Sequence, residues 1–418
     1  MTAESPIPAL RAVETIPVKQ DGEDYIVLRD PLGFSDSLIA VAMGALPILA
    51  NLDGQLNAVE ISEIVERNHA LKVEPTQILS MAEMLENASL LHSDSFLQHR
   101  TEIEEKYRQE TIRESIMAGS GYPDNPADLT AVLRLYEESA PPQDFAPAKP
   151  LANKRLLGML APHIDYQRGG KSYGRLYKQL STMLPPAEDG PLLVAIIGVA
   201  HNGAVEPVVA CAKDFRTPFG LMKYDRQAVK VLREHLGESV FHEEYVHKSE
   251  HSVEIQIPWL QHLLKDREVT ILPLLAGLLD STSNGNTPHN IDGVDKALAA
   301  LRSVEKAHDG PVLWLASVDF AHIGPSFGDP DKISDKDCSA VERRDMKALD
   351  YIQNADAEGW WKELMSDGNA RRVCGINATY LALSMLKGRK GRILDYQQAL
   401  SEDRLTMVSH AAAVFQEA

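Results

Sequence analysis

The chain has 418 residues, 44% of them hydrophobic and 24% charged, which excludes a disordered chain, a collagen-like repeat and a disulfide-stapled miniprotein. A net charge of −18 repels phosphate backbones, so no nucleic-acid partner is expected. No apolar run reaches the ~18 residues of a membrane span, no signal-peptide pattern opens the chain, and the three cysteines, Cys211, Cys338 and Cys374, suit a reducing compartment. The expectation is a cytoplasmic protein without membrane contact.

Residues 1–100 read as a small α+β unit. Glu14–Val18 and Tyr25–Leu28 are β-prone runs around Gln20-Asp21-Gly22-Glu23, a hairpin pattern. Ser37–Leu52 is apolar and reads as a helix. Ile61, Ile64 and Val65 mark one face of a second helix. Ile78, Met81, Leu85 and Ala88 mark a third, with Pro75 near its start. A hairpin and three helices are the inventory of a winged helix. The unit carries six Lys/Arg against fifteen Asp/Glu, so a peptide or a neighbouring domain suits it better than DNA. Around Leu49–Glu63 it resembles the PqqD-type winged helix, which implies a peptide ligand for this unit.

Residues 101–150 read as a linker. Thr101–Met117 looks like a charged bridging helix, Ala127–Glu138 another helix, and Pro141, Pro142, Pro147 and Pro150 an extended connector. From residue 151 to 418 the pattern changes. Apolar runs at Leu156–Leu160, Leu192–Val199, Val269–Leu275 and Val312–Val318 alternate with helical stretches at Tyr173–Met183, Arg226–His235 and Val294–Val304. Buried strands alternating with helices predict an α/β domain, a largely parallel central sheet flanked by helices.

Three of those strands run into a histidine. Leu156–Leu160 leads to Ala161-Pro162-His163, Leu192–Val199 to Ala200-His201, and Val312–Val318 to Asp319-Phe320-Ala321-His322. Open α/β sheets bind ligands beyond the carboxyl ends of their strands, and imidazole is a first-row metal ligand. His163 and His201 could share an ion. Cys374, where a loop enters the helix Ala378–Lys387, is the candidate third ligand, with a thiol pKa lowered by the helix N-terminus. His247, Glu250, His251 and Glu254 would share a face of a helix, and their H-x-x-E-H spacing also matches a zinc-hydrolase signature. Asp165 and Tyr166 follow His163 and are candidates for substrate contact, with Glu250. Thr217-Pro218-Phe219-Gly220 reads as a turn at a pocket rim. No Walker loop or G-x-G-x-x-G occurs, so neither ATP nor NAD is indicated.

Taken in order, Ala161–Tyr166, Ile197–His201, Glu250–Glu254, Ser317–His322 and Val373–Gly375 resemble the Memo family, relatives of the class III extradiol (LigB-type) dioxygenases. Ala118–Pro123 resembles that family's opening segment, so the likeness runs from about Arg113 to Ala418. The resemblance implies a metal held by His163, His201 and Cys374. It places Asp319 and His322 beside the metal and His251 around it or in the substrate pocket, all three as catalytic groups. Iron(II) is the leading expectation, with copper or zinc as alternatives. Cysteine stands where the dioxygenases place a carboxylate, and Ile164-Asp165 departs from the Ala-Gly of better-known Memo proteins. Three functions follow as expectations. The first is a metal-dependent redox enzyme acting on a small phenolic or peptide-derived substrate. The second is a metal-binding scaffold beside a peptide-modifying enzyme. The third is a zinc hydrolase using His247 and His251.

Overall fold

The computed structural model describes residues 1–139, 155–277, 279, 287–290 and 293–416. The proline-rich connector expected between Pro141 and Pro150 lies outside these residues. The chain divides into two compact units, Met1–Glu110 and Thr111–Ala418.

The first unit is built on a three-stranded antiparallel sheet of Glu14–Gln20, Glu23–Arg29 and Ile39–Ala42, with the second strand in the centre. Asp21 and Gly22 form its two-residue turn, both at positive φ (53° and 86°). That is the backbone a tight hairpin demands and Asp-Gly supplies. The apolar run Ser37–Leu52, expected as a helix, divides instead into the Ile39–Ala42 strand, a 3-10 turn at Met43–Ala45 and one helical turn at Leu46–Leu49. Ile39 and Val41 are β-branched and favour the strand, while Gly44 and Pro47 interrupt any longer helix. Helices follow at Ala58–His69, Pro75–Asn87 and Asp94–Gln109. The first begins with a reciprocal cap between Asn57 and Glu60. Ile26, Leu28, Val41, Ile61, Val65, Ile78 and Leu85 make the core. The bridging helix expected at Thr101–Met117 is corrected: the helix spans Asp94–Gln109, and Ile112–Arg113 is a short strand. Glu110 is already extended (φ −68°, ψ 138°), and β-branched Thr111 and Ile112 continue that conformation.

The second unit is α/β. Among the described residues its main sheet has eight strands. At the centre Leu156–Ala161, Val312–Ser317, Leu192–Val199 and Val269–Ala276 lie side by side and parallel. Antiparallel strands extend both sides: Val208–Ala210 on Val269–Ala276, and Met407–Gln416 on Leu156–Ala161, with Lys390–Leu400 and His322–Ile323 paired to Met407–Gln416. Along each central strand alternate residues enter different apolar clusters. Leu193, Ala195 and Ile197 belong to one, Leu192, Val194 and Ile196 to the other. Both faces are therefore covered, which explains the unbroken hydrophobic runs.

The helix expected at Tyr173–Met183 begins earlier, at Tyr166. A Cβ on Gly174 would lie 2.2 Å from the Tyr136 carbonyl, so this glycine lets the Pro126–Ser139 helix approach closely. No helix among the described residues is long and apolar enough to cross a membrane.

Candidate metal centre

The parallel strands deliver their functional side chains just past their carboxyl ends. His163 follows the strand that ends at Ala161, His201 the one that ends at Val199, and Asp319 the one that ends at Ser317. Cys374 sits immediately before Gly375, the N-cap of the helix Ile376–Met385. A Cβ on Gly375 would lie 2.4 Å from Cβ of Val318. The missing side chain is what lets the cysteine loop close onto the strand end.

The ligand atoms of His163, His201 and Cys374 all lie within 4.8 Å of one another. His163 is 2% exposed and forms the floor of the site. Its Nδ1 donates to the Ser317 carbonyl (3.0 Å), which leaves the Nε2 lone pair facing Cys374 Sγ at 3.3 Å. His201 Nδ1 donates to Glu250 (2.9 Å), which leaves its Nε2 for Cys374. Two imidazoles with Nδ1 engaged on the protein and Nε2 turned to one sulfur form a borderline-soft donor set that fits a first-row transition ion. The N-to-S distance falls in the ~3.3–3.8 Å range that ordinary bonds to one tetrahedral ion would give.

Glu250 is the orienting group. It is 3% exposed. It accepts from the His201 backbone N–H (3.1 Å), from His201 Nδ1 and from the Ser252 backbone N–H (2.8 Å), and lies 3.3 Å from His251 Nδ1. The sequence places it at the substrate; in the structure its oxygens are engaged by these protein groups. The rings of His163, His201 and His251 form a near-equilateral triangle, with centroids 4.9, 5.2 and 5.0 Å apart. His201 and His251 face the mouth, each side chain 31% exposed. His201, Glu250 and His251 also form a potential metal-binding group.

Asp319 closes the other side. Its Oδ1 accepts the His163 backbone N–H (3.0 Å), and its Oδ2 lies 3.6 Å from His163 Nε2. Burial opposes its ionisation, but the adjacent imidazoles and that N–H hold its carboxyl below the usual range. His322 is largely buried, which lowers its pKa, and its Nδ1 donates to the Phe320 carbonyl (3.0 Å). Burial drives His163 down to about 3 and lowers His251 as well. Burial also opposes protonation of His201, yet Glu250 and the hydrogen bonds to Glu250 and Cys374 outweigh it and raise its pKa. The lowered thiol pKa expected at Cys374 is corrected. Burial pushes it up, and the neighbouring His201 imidazole offsets that only in part.

Asp165 and Tyr166, the expected substrate contacts, are both tied to the protein. Asp165 caps the Tyr166–Met183 helix through the Arg168 backbone N–H (3.0 Å) and pairs with the Arg168 side chain (2.6 Å). Tyr166 is 1% exposed and donates its hydroxyl to the Ile255 carbonyl (2.6 Å). The helix expected over His247–Glu254 is also corrected. Glu244–Lys248 and Glu254–Gln256 are separate 3-10 turns, and the helix starts at Ile257. His247 is buried with Nε2 on the Val209 carbonyl (3.2 Å) and joins no potential metal group among the described residues. The hydrolase expectation needs His247 as a ligand, and its Nε2 is held by that carbonyl instead.

Sequence reading missed Arg113. It is 1% exposed, donates to the carbonyls of His247 (3.0 Å) and Glu250 (2.6 Å) and forms a buried ion pair with Glu254. Glu254 also accepts from the hydroxyls of Ser115 (2.7 Å) and Tyr122 (2.6 Å). The opening segment thus clamps the loop that carries Glu250 and His251. A basic residue at the head of the matching region was the available signal.

An α/β unit that gathers two histidines, a cysteine and an aspartate at one rim of a parallel sheet defines a class of candidate metalloproteins. Within it, this chain belongs to the Memo-like protein family, whose family model matches residues 113–414. A MEMO1 family protein of Aquifex aeolicus is 28% identical over 395 residues, covering 94% of this chain and 96% of the relative. One of Thermus thermophilus is 26% identical, covering 85% and 98%. One of Pyrococcus furiosus is 27% identical and matches 73% of this chain across 100% of its own length.

Proposed function

We propose that the Thr111–Ala418 unit is a metal-dependent oxidoreductase that acts on a small phenolic or peptide-derived substrate, with iron(II) as the ion held by His163, His201 and Cys374. The observation that carries this reading is the meeting of three ligand atoms within 4.8 Å at the carboxyl rim of the sheet. A bound first-row ion supplies a Lewis-acidic, redox-active centre for an oxygen ligand. His322 serves as the base. Its Nδ1 proton is committed to Phe320, its burial favours the neutral ring, and Nε2 is left to take a hydroxyl proton. Asp319 holds the His163 backbone and fixes the floor of the site. His251, at the mouth, contacts the incoming substrate. The free thiols of Cys211, Cys338 and Cys374 support a cytoplasmic setting, and a peptide ligand for the acidic, winged-helix-like N-terminal unit belongs to the same reading.

Anaerobic purification, elemental analysis and oxygen-uptake assays over a panel of catechols test the proposal. Stoichiometric metal and uptake with turnover are expected, and His163→Ala should abolish metal binding. Full occupancy in that variant defeats the proposal. Absence of both metal and uptake, with peptide binding to the N-terminal unit, would replace it with the scaffold reading.

A further inference from the structure

The opposite rim of the same sheet carries a second concavity. The Val269–Ala276 strand ends beside the metal centre, where Ala276 pairs with Val199. It begins at Val269, which lines a cleft of about 510 Å³. Eight strand residues at ~3.3 Å each span roughly 25 Å, so the cleft is not an arm of the metal site. Its walls come from the Pro126–Ser139 helix, the hairpin around Phe219 and the stretch from Leu260 to Arg267.

The charge of this cleft is opposite to that of the chain. Arg134, Lys265, Arg267 and His262 line it, and among the described residues no Asp or Glu does, on a protein of net charge −18. Two of the four basic groups are engaged. Arg267 donates to the carbonyls of Pro186 and Gly190, each at 3.4 Å, and His262 lies 3.5 Å from Glu137. Arg134 and Lys265 are exposed, and neither has an ion pair with a carboxylate among the described residues. The rest of the lining includes Leu260 and Phe219. The Phe219 ring lies near-parallel to His262, with centroids 6.4 Å apart and planes 23° from parallel.

A concave surface lined by one sign of charge concentrates counter-ions, and an aromatic face accepts a flat ring. We propose that this cleft binds a small organic anion bearing a planar ring, the chemistry shared by nucleoside monophosphates and aryl carboxylates. The anionic group meets Arg134 and Lys265, and the ring lies against Phe219 and His262. The volume suits such a molecule.

Calorimetric titration of the full-length protein, metal-free and in about 0.1 M salt, with adenosine 5′-monophosphate, salicylate and inorganic phosphate tests this. One ring-bearing anion is expected to bind with a Kd below about 1 mM. The Arg134→Ala/Lys265→Ala double variant should weaken it about tenfold or more. The anion that binds more tightly identifies the source of the ligand. Failure of both ring-bearing anions to bind, unchanged binding in the double variant, or equally tight binding of inorganic phosphate would overturn the proposal.

Discussion

Glu250 gathers more of the site than any ligand does. It holds the His201 backbone, the His201 ring and the Ser252 backbone and lies beside the His251 ring. Glu250→Gln keeps the shape but puts an amide N–H where one acceptor stood. Orienting groups of this kind cost 10–100-fold in metal affinity when changed. A loss of about that size is expected by competitive chelator titration, with the far-ultraviolet circular dichroism unchanged. His247 gives a second prediction. Burial lowers its pKa to about 4 in the folded protein, against ~6.5 unfolded. Between those values the unfolded chain binds the proton and the folded chain does not, so acid favours unfolding. Its contribution is present above pH ~6.5 and falls by about 2 kcal/mol by pH ~5. Other buried histidines lose stability over the same range, so the reading is a difference: between the two pH values, urea midpoints should fall further in the wild type than in His247→Gln. The histidines at the strand ends were legible because each follows an apolar run directly. Cys374 was legible as a candidate ligand but not in its protonation, which depends on burial that no local sequence expresses.

At the scale of elements, the segment from His247 to Gln256 shows where periodicity misleads. The H-x-x-E-H spacing suits a helix, yet Arg113 draws away the carbonyls of His247 and Glu250 that a continuous helix would use. The partner lies 141 residues from Glu254 in sequence, so nothing within the motif signals it. Arg113→Met leaves Glu254 buried without its cation. A destabilisation of about 3–5 kcal/mol is expected, read as a fall in the denaturant midpoint. The cysteine loop supplies a parallel case. Gly375→Ala forces a Cβ into Val318, 2.4 Å away, and should lower metal occupancy while leaving the amino end of the Val269–Ala276 strand, at the opposite rim, protected from hydrogen exchange. Normal occupancy would show that the loop has other ways to reach His163. The four central strands were readable from their doubly buried composition. The antiparallel additions were not, because Lys390–Leu400 is half-buried and polar along much of its length.

On the whole-molecule scale, the Pyrococcus relative matches about three quarters of this chain over its entire length, the share that Thr111–Ala418 represents. The Aquifex relative covers nearly all of it. The larger unit is thus expected to fold by itself. Residues 111–418, expressed alone, should melt cooperatively and take up the same ion as the full chain, and aggregation of that fragment would contradict this. The smaller unit announced itself through the Asp-Gly turn, whereas its middle apolar run concealed a strand beneath a helix-like composition. One consequence follows from the way the donors are tethered. They arrive from distant stretches of chain, and each is fastened to the protein by contacts that need no ion: His163 to Ser317, His201 to Glu250 and Cys374 to the Asp319 carbonyl. An ion bound there would therefore load after folding, unlike a zinc finger that the ion itself assembles. Stripping with a chelator should leave a native apoprotein that can be recharged with a different element, so the cellular supply, as much as the polypeptide, selects the resident ion.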